Sequence, residues 1–431
     1  MYPFRVKTIR FAHGERYPLL LDTNTGKPLL MPTVYITSSR RSANLAVKSL
    51  EVELRSIMHL YAWAMIEGVD IEVRFSQGCF FELHEIDAIA RAAHYKYNHL
   101  LDVLHIEPTI ASTAVGEPIE NVRKLAPQRP DGIQGATVAT RIRHIRDYLD
   151  WLGAMSLVRS STTSESYRNM QNARERMKAA FSARLPKSRG RNQVQLRESV
   201  DNSVVNQILA ALHPDSPGNP FNDYGSRVRN QLIFLLLYTT GIRRGECLGI
   251  KVEDIDFQSN TLLIRRRADD PKDPRKDQPN AKTKDRKLPV ETAVIESLQN
   301  YIINVRRRLP VAKQHTFLFV THKAGNYTGM PLSHPGYSKI FATLRKKIPN
   351  IPQNLSGHTL RHVWNENFSQ LMDASGTTED REKQLRNYLM GWSDRSNMAA
   401  HYARRHIMQK ANEASLNLQR VVTRDISNGS E

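Results

Sequence analysis

The sequence lacks most features of secreted, metal-binding and membrane proteins. Only two cysteines occur among 431 residues, Cys79 and Cys247, and their separation gives neither a disulfide framework nor the spacing of a zinc site. So few cysteines fit a reducing cytoplasm. No apolar run approaches the ~20 residues of a membrane-spanning helix, and the apolar stretch at 232–238 is far too short. The chain begins Met-Tyr-Pro-Phe-Arg-Val-Lys without an apolar signal region, and no internal repeat is visible.

Acidic residues are also scarce relative to basic ones. The chain has 62 Lys and Arg residues against 43 Asp and Glu, a formal net charge of +19 at pH 7, and a pI near 9.9. A soluble chain this basic usually binds a polyanion, and nucleic acid is the first candidate. The alternative at this point is a basic surface without a function.

Hydrophobic periodicity and turn residues divide the chain into two helical regions. The Pro-, Gly- and Arg-containing stretch after residue 184 has no periodicity and indicates a linker. We predict an N-terminal extended arm at 1–40, a helical domain at 41–184 with a loop or insertion at 105–135, a basic linker at 185–197, a second domain at 198–415, and a polar C-terminal tail at 416–431.

The elements within these regions follow from the same patterns. In the arm, the β-forming residues Val34, Tyr35 and Ile36 predict extended backbone. Helices are predicted at 41–66, 83–103, 136–153, 162–184, 198–213, 232–238, 291–308, 333–346, 379–391 and 395–405, and strands at 249–257, 261–266, 282–290 and 317–320. The expected fold class is therefore mainly α with a small antiparallel β-sheet.

Several basic side chains are candidates for contacts with DNA phosphates. Three of them interleave with the apolar stripe of the 136–153 helix, where a solvated basic face is an equal alternative. The linker supplies the others, because a basic segment there could follow a DNA backbone. The candidates are Arg141, Arg143, Arg146, Lys187, Arg189 and Arg191.

Four short motifs in the second domain occur in a fixed order. The first is Thr-Gly-Ile-Arg-Arg-Gly-Glu at 240–246, and Lys282 follows it ahead of a Leu-Pro strand end. His358 and Arg361 come next, and their spacing of three places both on one face of a helix. Last is Leu-Met-Gly-Trp at 389–392, with Tyr402 ten residues after the tryptophan.

This order of motifs resembles the tyrosine recombinase, or phage integrase, family. The family's C-terminal domain has Thr-Gly-x-Arg-x-x-Glu, a β-hairpin lysine, His-x-x-Arg, Leu-Gly-His/Trp and a nucleophilic tyrosine. The resemblance covers about 198–415, and the helical 41–184 region looks like the family's core-binding (SAM-like) domain. Two departures are present. Here Met-Gly-Trp replaces the common Leu-Gly-His, and the gap from tryptophan to tyrosine is one residue longer than is common.

The resemblance implies a role for each matching residue. Two arginines would clamp the scissile phosphate, a lysine would be the hairpin lysine, a histidine and a tryptophan would complete the phosphate site, and a tyrosine would be the nucleophile. In that order these residues are Arg243 and Arg361, Lys282, His358 and Trp392, and Tyr402. No metal and no cofactor are implied.

Neighbouring residues remain rivals for several of these roles. Arg244 competes with Arg243, although Arg243 fits the register of the motif. Lys284 competes with Lys282, and Tyr388 competes with Tyr402, although we interpret Tyr388 as a core residue. Glu246 is expected to orient Arg243 by a salt bridge rather than to take part in the chemistry.

The expected function is site-specific DNA recombination through a covalent 3′-phosphotyrosine, as in the integrases of mobile genetic elements. The resemblance implies double-stranded DNA and a homo-tetramer on two DNA sites as partners, no membrane, and action at the bacterial nucleoid in the cytoplasm. It leaves open whether accessory DNA-bending proteins or a partner recombinase are needed. The alternatives are a type IB topoisomerase, which uses the same chemistry as a monomer, and a catalytically inactive DNA-binding accessory protein.

Overall fold

A computed structural model describes residues 2–43, 45–103, 133–158, 162, 164–186, 200–281, 283–393 and 414–416. The chain divides into two compact units, an N-terminal unit at 1–193 and a C-terminal unit at 194–431. Both are mainly helical with small antiparallel sheets, so the predicted fold class is confirmed. No helix among the described residues is long and apolar enough to span a membrane.

The N-terminal unit is a helical domain with an antiparallel hairpin at its start. Its elements are β1 (Phe4–Arg10), β2 (Arg16–Asp22), α1 (Leu30–Tyr35), α2 (Val47–Ile66), α3 (Ile71–Ser76), α4 (Leu83–Ala92), α5 (Tyr97–Val103), α6 (Gly135–Leu157) and α7 (Glu165–Ala183), with a π-helix at Ile36–Arg41. The apolar faces of α2 and α6 meet in one core that includes Leu54, Ile57, Ile142 and Leu149. These are the stripes that the sequence predicts.

In the C-terminal unit, the core forms around the apolar helix α9. The unit also has a three-stranded antiparallel sheet in the order β3-β4-β5. Its elements are α8 (Asn202–Leu212), α9 (Tyr224–Thr240), α10 (Arg244–Gly249), β3 (Ile255–Asp256), β4 (Thr261–Ile264), β5 (Arg286–Pro289), α11 (Thr292–Asn300), α12 (His334–Lys347), α13 (Gly357–Ala374) and α14 (Glu379–Met390). Short π- and 3₁₀-helices lie at Val252–Asp254, Tyr301–Val305, Arg306–Arg308 and Val311–Gln314.

Some of the predicted elements are wrong in type or extent. The segment Val34–Ile36 is helical rather than extended, because burial of Tyr35 and Ile36 in the core outweighs their β propensity. The helix expected at 83–103 is two helices, α4 and α5. The strand expected at 317–320 makes only isolated bridges, from Phe317 to Lys251 and from Val320 to Pro331.

The hairpin in the predicted arm at 1–40 packs against α2 of the same unit. The Thr8 hydroxyl donates to Glu51 on α2 at 2.6 Å, and the Tyr35 hydroxyl on α1, in the same predicted arm, donates to Glu53 on α2 at 2.7 Å. Most of the predicted loop at 105–135, most of the linker at 185–197, the helix at 395–405 and the tail at 416–431 lie outside the described residues, apart from Leu416.

Candidate active site

The junction between α9 and α10 brings distant parts of the C-terminal unit together. Gly241 ends α9 in a left-handed conformation with a φ of 63°, which glycine adopts at little cost. A side chain would also collide there, because an added Cβ would lie 2.9 Å from the Trp364 ring and 3.0 Å from Met390 Cε. The junction therefore packs directly against α13 and the end of α14.

Arg243 follows this junction and directly precedes α10. Its side chain is 29% exposed, and its Nη1 forms the expected ion pair with Oε1 of Glu246 at 3.6 Å, a distance too long for a hydrogen bond. Nη1 itself is buried, and among the described residues no atom accepts a hydrogen bond from it. A buried cationic donor without an acceptor is suited to an anionic ligand, because a ligand oxygen would satisfy it.

Glu246 is the shared acceptor beside Arg243. Its buried carboxylate accepts from the Arg243 backbone N–H at 2.9 Å, from the Thr283 hydroxyl at 2.5 Å and from Nη2 of Arg286 at 3.0 Å. Burial by itself raises the pKa of this carboxyl, but the charge of Arg286 and the hydrogen bonds outweigh burial and hold the pKa below its usual value. Glu246 is therefore ionised and fixes the groups around it.

Arg286 connects this cluster to the chain segment before Trp392. It is 5% exposed, and its Nε donates to the carbonyl of Leu389 at 2.6 Å. Nearby, the backbone N–H of Lys284 donates to the carbonyl of Gly391 at 3.0 Å. An added Cβ on Gly391 would lie 2.8 Å from Nη1 of Arg286, so the close approach requires glycine.

Helix α13 carries the His-x-x-Arg motif and starts in close contact with α12. The Ser356 hydroxyl accepts from the backbone N–H of Thr359 at 3.3 Å and caps the helix. An added Cβ on Gly357 would lie 1.9 Å from the Tyr337 hydroxyl, so only glycine fits at the first helical position. The start of α13 is thus fixed in place just before the His-x-x-Arg motif.

Arg361 lies deep in the site and contacts two of the other motifs. It is 1% exposed, and its Nη1 donates to the carbonyl of Gly241 at 2.6 Å. Its Cζ lies 5.3 Å from the centroid of the Trp392 ring, which is itself 6% exposed. Arg361 therefore touches both the chain two residues before Arg243 and the indole at the end of α14.

His358 is exposed on the first turn of α13. Its Nε2 lies 3.1 Å from Nε2 of His362, one turn further on, and the two rings are nearly perpendicular at 83°. When both imidazoles are neutral, one ring donates and the other accepts in this contact. His362 is thus a direct partner of His358.

Two of the predicted site residues, Lys282 and Tyr402, lie outside the described residues, so their roles stay predictions. Their rivals are described. Lys284 is exposed just before β5. Tyr388 is 61% exposed on α14, so its interpretation as a core residue was wrong.

The candidate DNA contacts differ in what they already bind. Nη1 of Arg141 donates to the carbonyls of Ala93 and Tyr95, each at 2.7 Å, and burial lowers the pKa of Arg141 to about 10. Arg146 donates to Asp147 at 2.8 Å and to Ser182 at 3.1 Å, whereas Arg143 is exposed. Lys187, Arg189 and Arg191 lie outside the described residues.

Sequence reasoning missed Thr283 and Arg286. A signal was present, since Arg286 and Leu288 alternate with Lys287 and Pro289 along a strand whose burial also alternates. An arginine on the inner face of a strand has to find a buried carboxylate. The Thr-Gly-x-Arg-x-x-Glu motif supplies one in Glu246.

No group of three or more His, Cys, Asp and Glu side chains in the described part of the chain could hold a metal ion. The basic side chains at the site, Arg243 and Arg361, instead suit an anion.

Comparison with known proteins places the site in a matched domain. Residues 198–408 match the sequence profile of the phage integrase family. The tyrosine recombinase XerD of Halalkalibacterium halodurans is 28% identical over 159 residues, which is 37% of this chain and 45% of that protein. The XerD of Corynebacterium glutamicum is 25% identical over 262 residues, 54% of this chain and 78% of that protein.

The chain thus spans less than half the length of the first of these relatives. Among solved structures, the Tn1549 transposon integrase in complex with transposon right end DNA has 13% sequence identity and a TM-score of 0.45. That similarity covers 88% of this chain and 100% of the other.

Proposed function

Residues 198–408 belong to the phage integrase family, and from that premise we propose that the chain is a tyrosine recombinase that cuts and rejoins DNA at specific sites. The observation that carries the proposal is the hydrogen bond from Arg361 to the carbonyl of Gly241, two residues before Arg243. It joins two motifs about 120 residues apart, and both carry an arginine suited to a phosphate.

The phosphate site follows from the charge of the reaction. A DNA phosphodiester is an anion, and in-line attack increases the negative charge on its oxygens. Arg243 and Arg361 would bind these oxygens, with His358 and the indole N–H of Trp392 as further donors. One such donor can contribute about 10²–10³ in rate. Fixed cations therefore do the work that a metal ion does in other phosphoryl-transfer enzymes.

The covalent step uses the two residues that remain predictions. Tyr402 Oη would attack phosphorus, the P–O5′ bond would break, and the leaving 5′-oxygen would take a proton from Lys282 or its rival Lys284. Tyrosine has an ordinary pKa near ~10, so the nearby positive charge and His358 would assist loss of its proton. The product is a 3′-phosphotyrosine with a free 5′-hydroxyl. Because the linkage conserves the energy of the phosphodiester, rejoining would need no ATP.

The proposed partner is double-stranded DNA, with a homo-tetramer on two DNA sites and action at the bacterial nucleoid. Accessory DNA-bending proteins or a partner recombinase remain open. The net charge of +19 supports a polyanionic partner. Sedimentation on DNA carrying one or two sites tests the assembly, because a recombinase pairs two sites whereas a topoisomerase of this chemistry stays monomeric.

A suicide substrate tests the proposal. Nicked, labelled duplexes from the ends of the element that encodes the chain would lose the short 5′-fragment on cleavage and trap the covalent adduct. We expect a protease-sensitive adduct in the presence of a chelator with the wild type, and none with Tyr402→Phe. Tyr388→Phe is the matched control and retains the adduct.

Other outcomes separate the alternatives. An adduct with Tyr402→Phe would mean that a different residue is the nucleophile. Tight binding without any adduct would favour an inactive accessory protein. Relaxation of supercoiled DNA without any preference for the element's ends would favour the topoisomerase.

A further inference from the structure

We propose that Arg286 is a positioning residue that fixes the candidate general-acid lysine relative to the phosphate site. This proposal rests on the proposed function, since it concerns protonation of the leaving 5′-oxygen. Arg286 is 5% exposed and has no need to touch DNA to act in this way. It would act through the backbone of the segment 283–286.

One guanidinium joins three separate segments of the chain. Nη2 of Arg286 donates to Glu246 at 3.0 Å, which ties it to the Arg243 motif. Nη1 donates to the Thr283 hydroxyl at 3.1 Å, within its own segment. Nε donates to the carbonyl of Leu389 at 2.6 Å, which ties it to the segment that leads to Trp392.

The same segment is fixed by two further hydrogen bonds. The Thr283 hydroxyl donates to Oε1 of Glu246 at 2.5 Å, and the backbone N–H of Lys284 donates to the carbonyl of Gly391 at 3.0 Å. The candidate acids Lys282 and Lys284 are the two neighbours of Thr283 in the chain. Both lysines are thus bonded in the chain to Thr283, whose hydroxyl donates to Glu246 and accepts from Arg286.

The geometry explains why an arginine stands here. A lysine carries its charge on a long flexible side chain, so the ammonium is well placed only if its own backbone is fixed. The planar guanidinium of Arg286 donates in three directions at once, to a carboxylate, a hydroxyl and a carbonyl. A lysine at 286 has no such fork and cannot reproduce all three contacts.

Sulfur substitution of the leaving group isolates this role. In a duplex whose scissile 5′-bridging oxygen is replaced by sulfur, the leaving thiolate departs without a proton because its pKa is low, ~8.5 for a thiol. A loss of cleavage rate caused by a missing general acid should then disappear, whereas a loss caused by weaker phosphate binding or a misplaced nucleophile should remain. The ratio of cleavage rates on the two substrates therefore reports the lysine alone.

The test uses the full chain with Arg286→Met, which leaves Glu246 in place to accept from the Arg243 backbone N–H and from the Thr283 hydroxyl. We expect this variant to cleave the oxygen substrate about 10²-fold more slowly than the wild type, the scale of a lost general acid. On the sulfur substrate we expect a loss below about 10-fold. On the oxygen substrate, the cleavage rate of Arg286→Lys should fall between those of the wild type and Arg286→Met.

Arg386→Met is the matched control. Arg386 is also buried, at 1% exposure, and it joins α14 to α13 through Asn365 and Ser369 rather than to the lysine segment. Its variant should lose the same factor on both substrates. Equal losses on both substrates for the Arg286 variant, or no loss on oxygen, would overturn the proposal. Failure of the proposed function looks different, because the wild type would then form no adduct with either substrate.

Discussion

Arg141 in the N-terminal unit lies within α6, and Arg243 in the C-terminal unit directly precedes α10; their guanidinium groups have different surroundings. Nη1 of Arg141 donates to two backbone carbonyls, whereas Nη1 of Arg243 has no hydrogen-bond acceptor among the described residues. The difference lies in the acceptors that the fold places nearby. An arginine with protein acceptors holds the fold together, and one without them is available to a ligand.

The largest effect that this comparison predicts is at Arg243. Arg243→Ala should lower the rate of DNA cleavage by about 10²–10³-fold, because it removes a cationic donor to the transition state. DNA binding should change far less, since Arg243 is one of 62 Lys and Arg residues in a chain of net charge +19. Single-turnover cleavage and a binding titration measure the two quantities.

Arg244→Ala is the control for that variant. Arg244 is the exposed neighbour of Arg243. A loss of cleavage as large as that of Arg243→Ala would mean that the two arginines have been assigned the wrong way round.

A smaller effect is expected at Arg141. Arg141→Met should lower the free energy of unfolding of the N-terminal unit by about 2 kcal/mol, because the part-buried carbonyls of Ala93 and Tyr95 lose this donor. The folded variant should bind DNA as the wild type does. Chemical denaturation of the full chain, monitored by hydrogen exchange in each unit, gives the stability.

Arg143→Ala sharpens the contrast because Arg143 is exposed on the same helix. It should leave stability unchanged, weaken DNA binding, and reduce the slope of log affinity against log salt by about 1. Loss of DNA affinity in Arg141→Met but not in Arg143→Ala would reverse the distinction between the two residues.

The two units should respond alike to acid. Burial, aided by a nearby arginine, lowers the pKa of His59 in the N-terminal unit and of His322 in the C-terminal unit to about 4. Between their ordinary pKa of ~6.5 and this value, the unfolded chain binds more protons than the folded chain. The free energy of unfolding should therefore fall as the pH falls, by about 2 kcal/mol per histidine from pH 7 to pH 5.

Hydrogen exchange, corrected for its intrinsic pH dependence, measures this loss in each unit. His59→Gln should flatten the pH dependence in the N-terminal unit only, and His322→Gln in the C-terminal unit only. A variant that leaves the profile of its own unit unchanged would show that its histidine is protonated in the folded chain as readily as in the unfolded one.

Much of the fold could be predicted from the sequence, because helical periodicity depends only on residues that are close together in the chain. The stripes of α2 and α6 and the order of the C-terminal motifs needed no tertiary information. The helical conformation of Val34–Ile36 could not be predicted, because it depends on burial in the core, and the β propensity of these residues does not reflect that burial. Similarly, nothing in the local pattern shows that Tyr388 faces solvent.

Part of the candidate site could be predicted for the same reason. Motifs predicted Arg243, His358, Arg361 and Trp392 as candidate site residues, but not the hydrogen bond from Arg361 to Gly241 that joins two of the motifs. Arg286 was missed because its partners, Glu246 and Leu389, are 40 and 103 residues away in the chain. Long-range contacts of this kind become visible only in three dimensions.

The central claim is that Arg243 neutralises charge on a DNA phosphate, and a neutral substrate tests it most directly. Cleavage by the wild type and by Arg243→Ala would be compared on a normal duplex and on one in which a methyl group replaces a non-bridging oxygen of the scissile phosphate. We expect the variant's loss of about 10²–10³-fold on the normal duplex to shrink below about 10-fold on the neutral one. The same loss on both substrates would contradict the account.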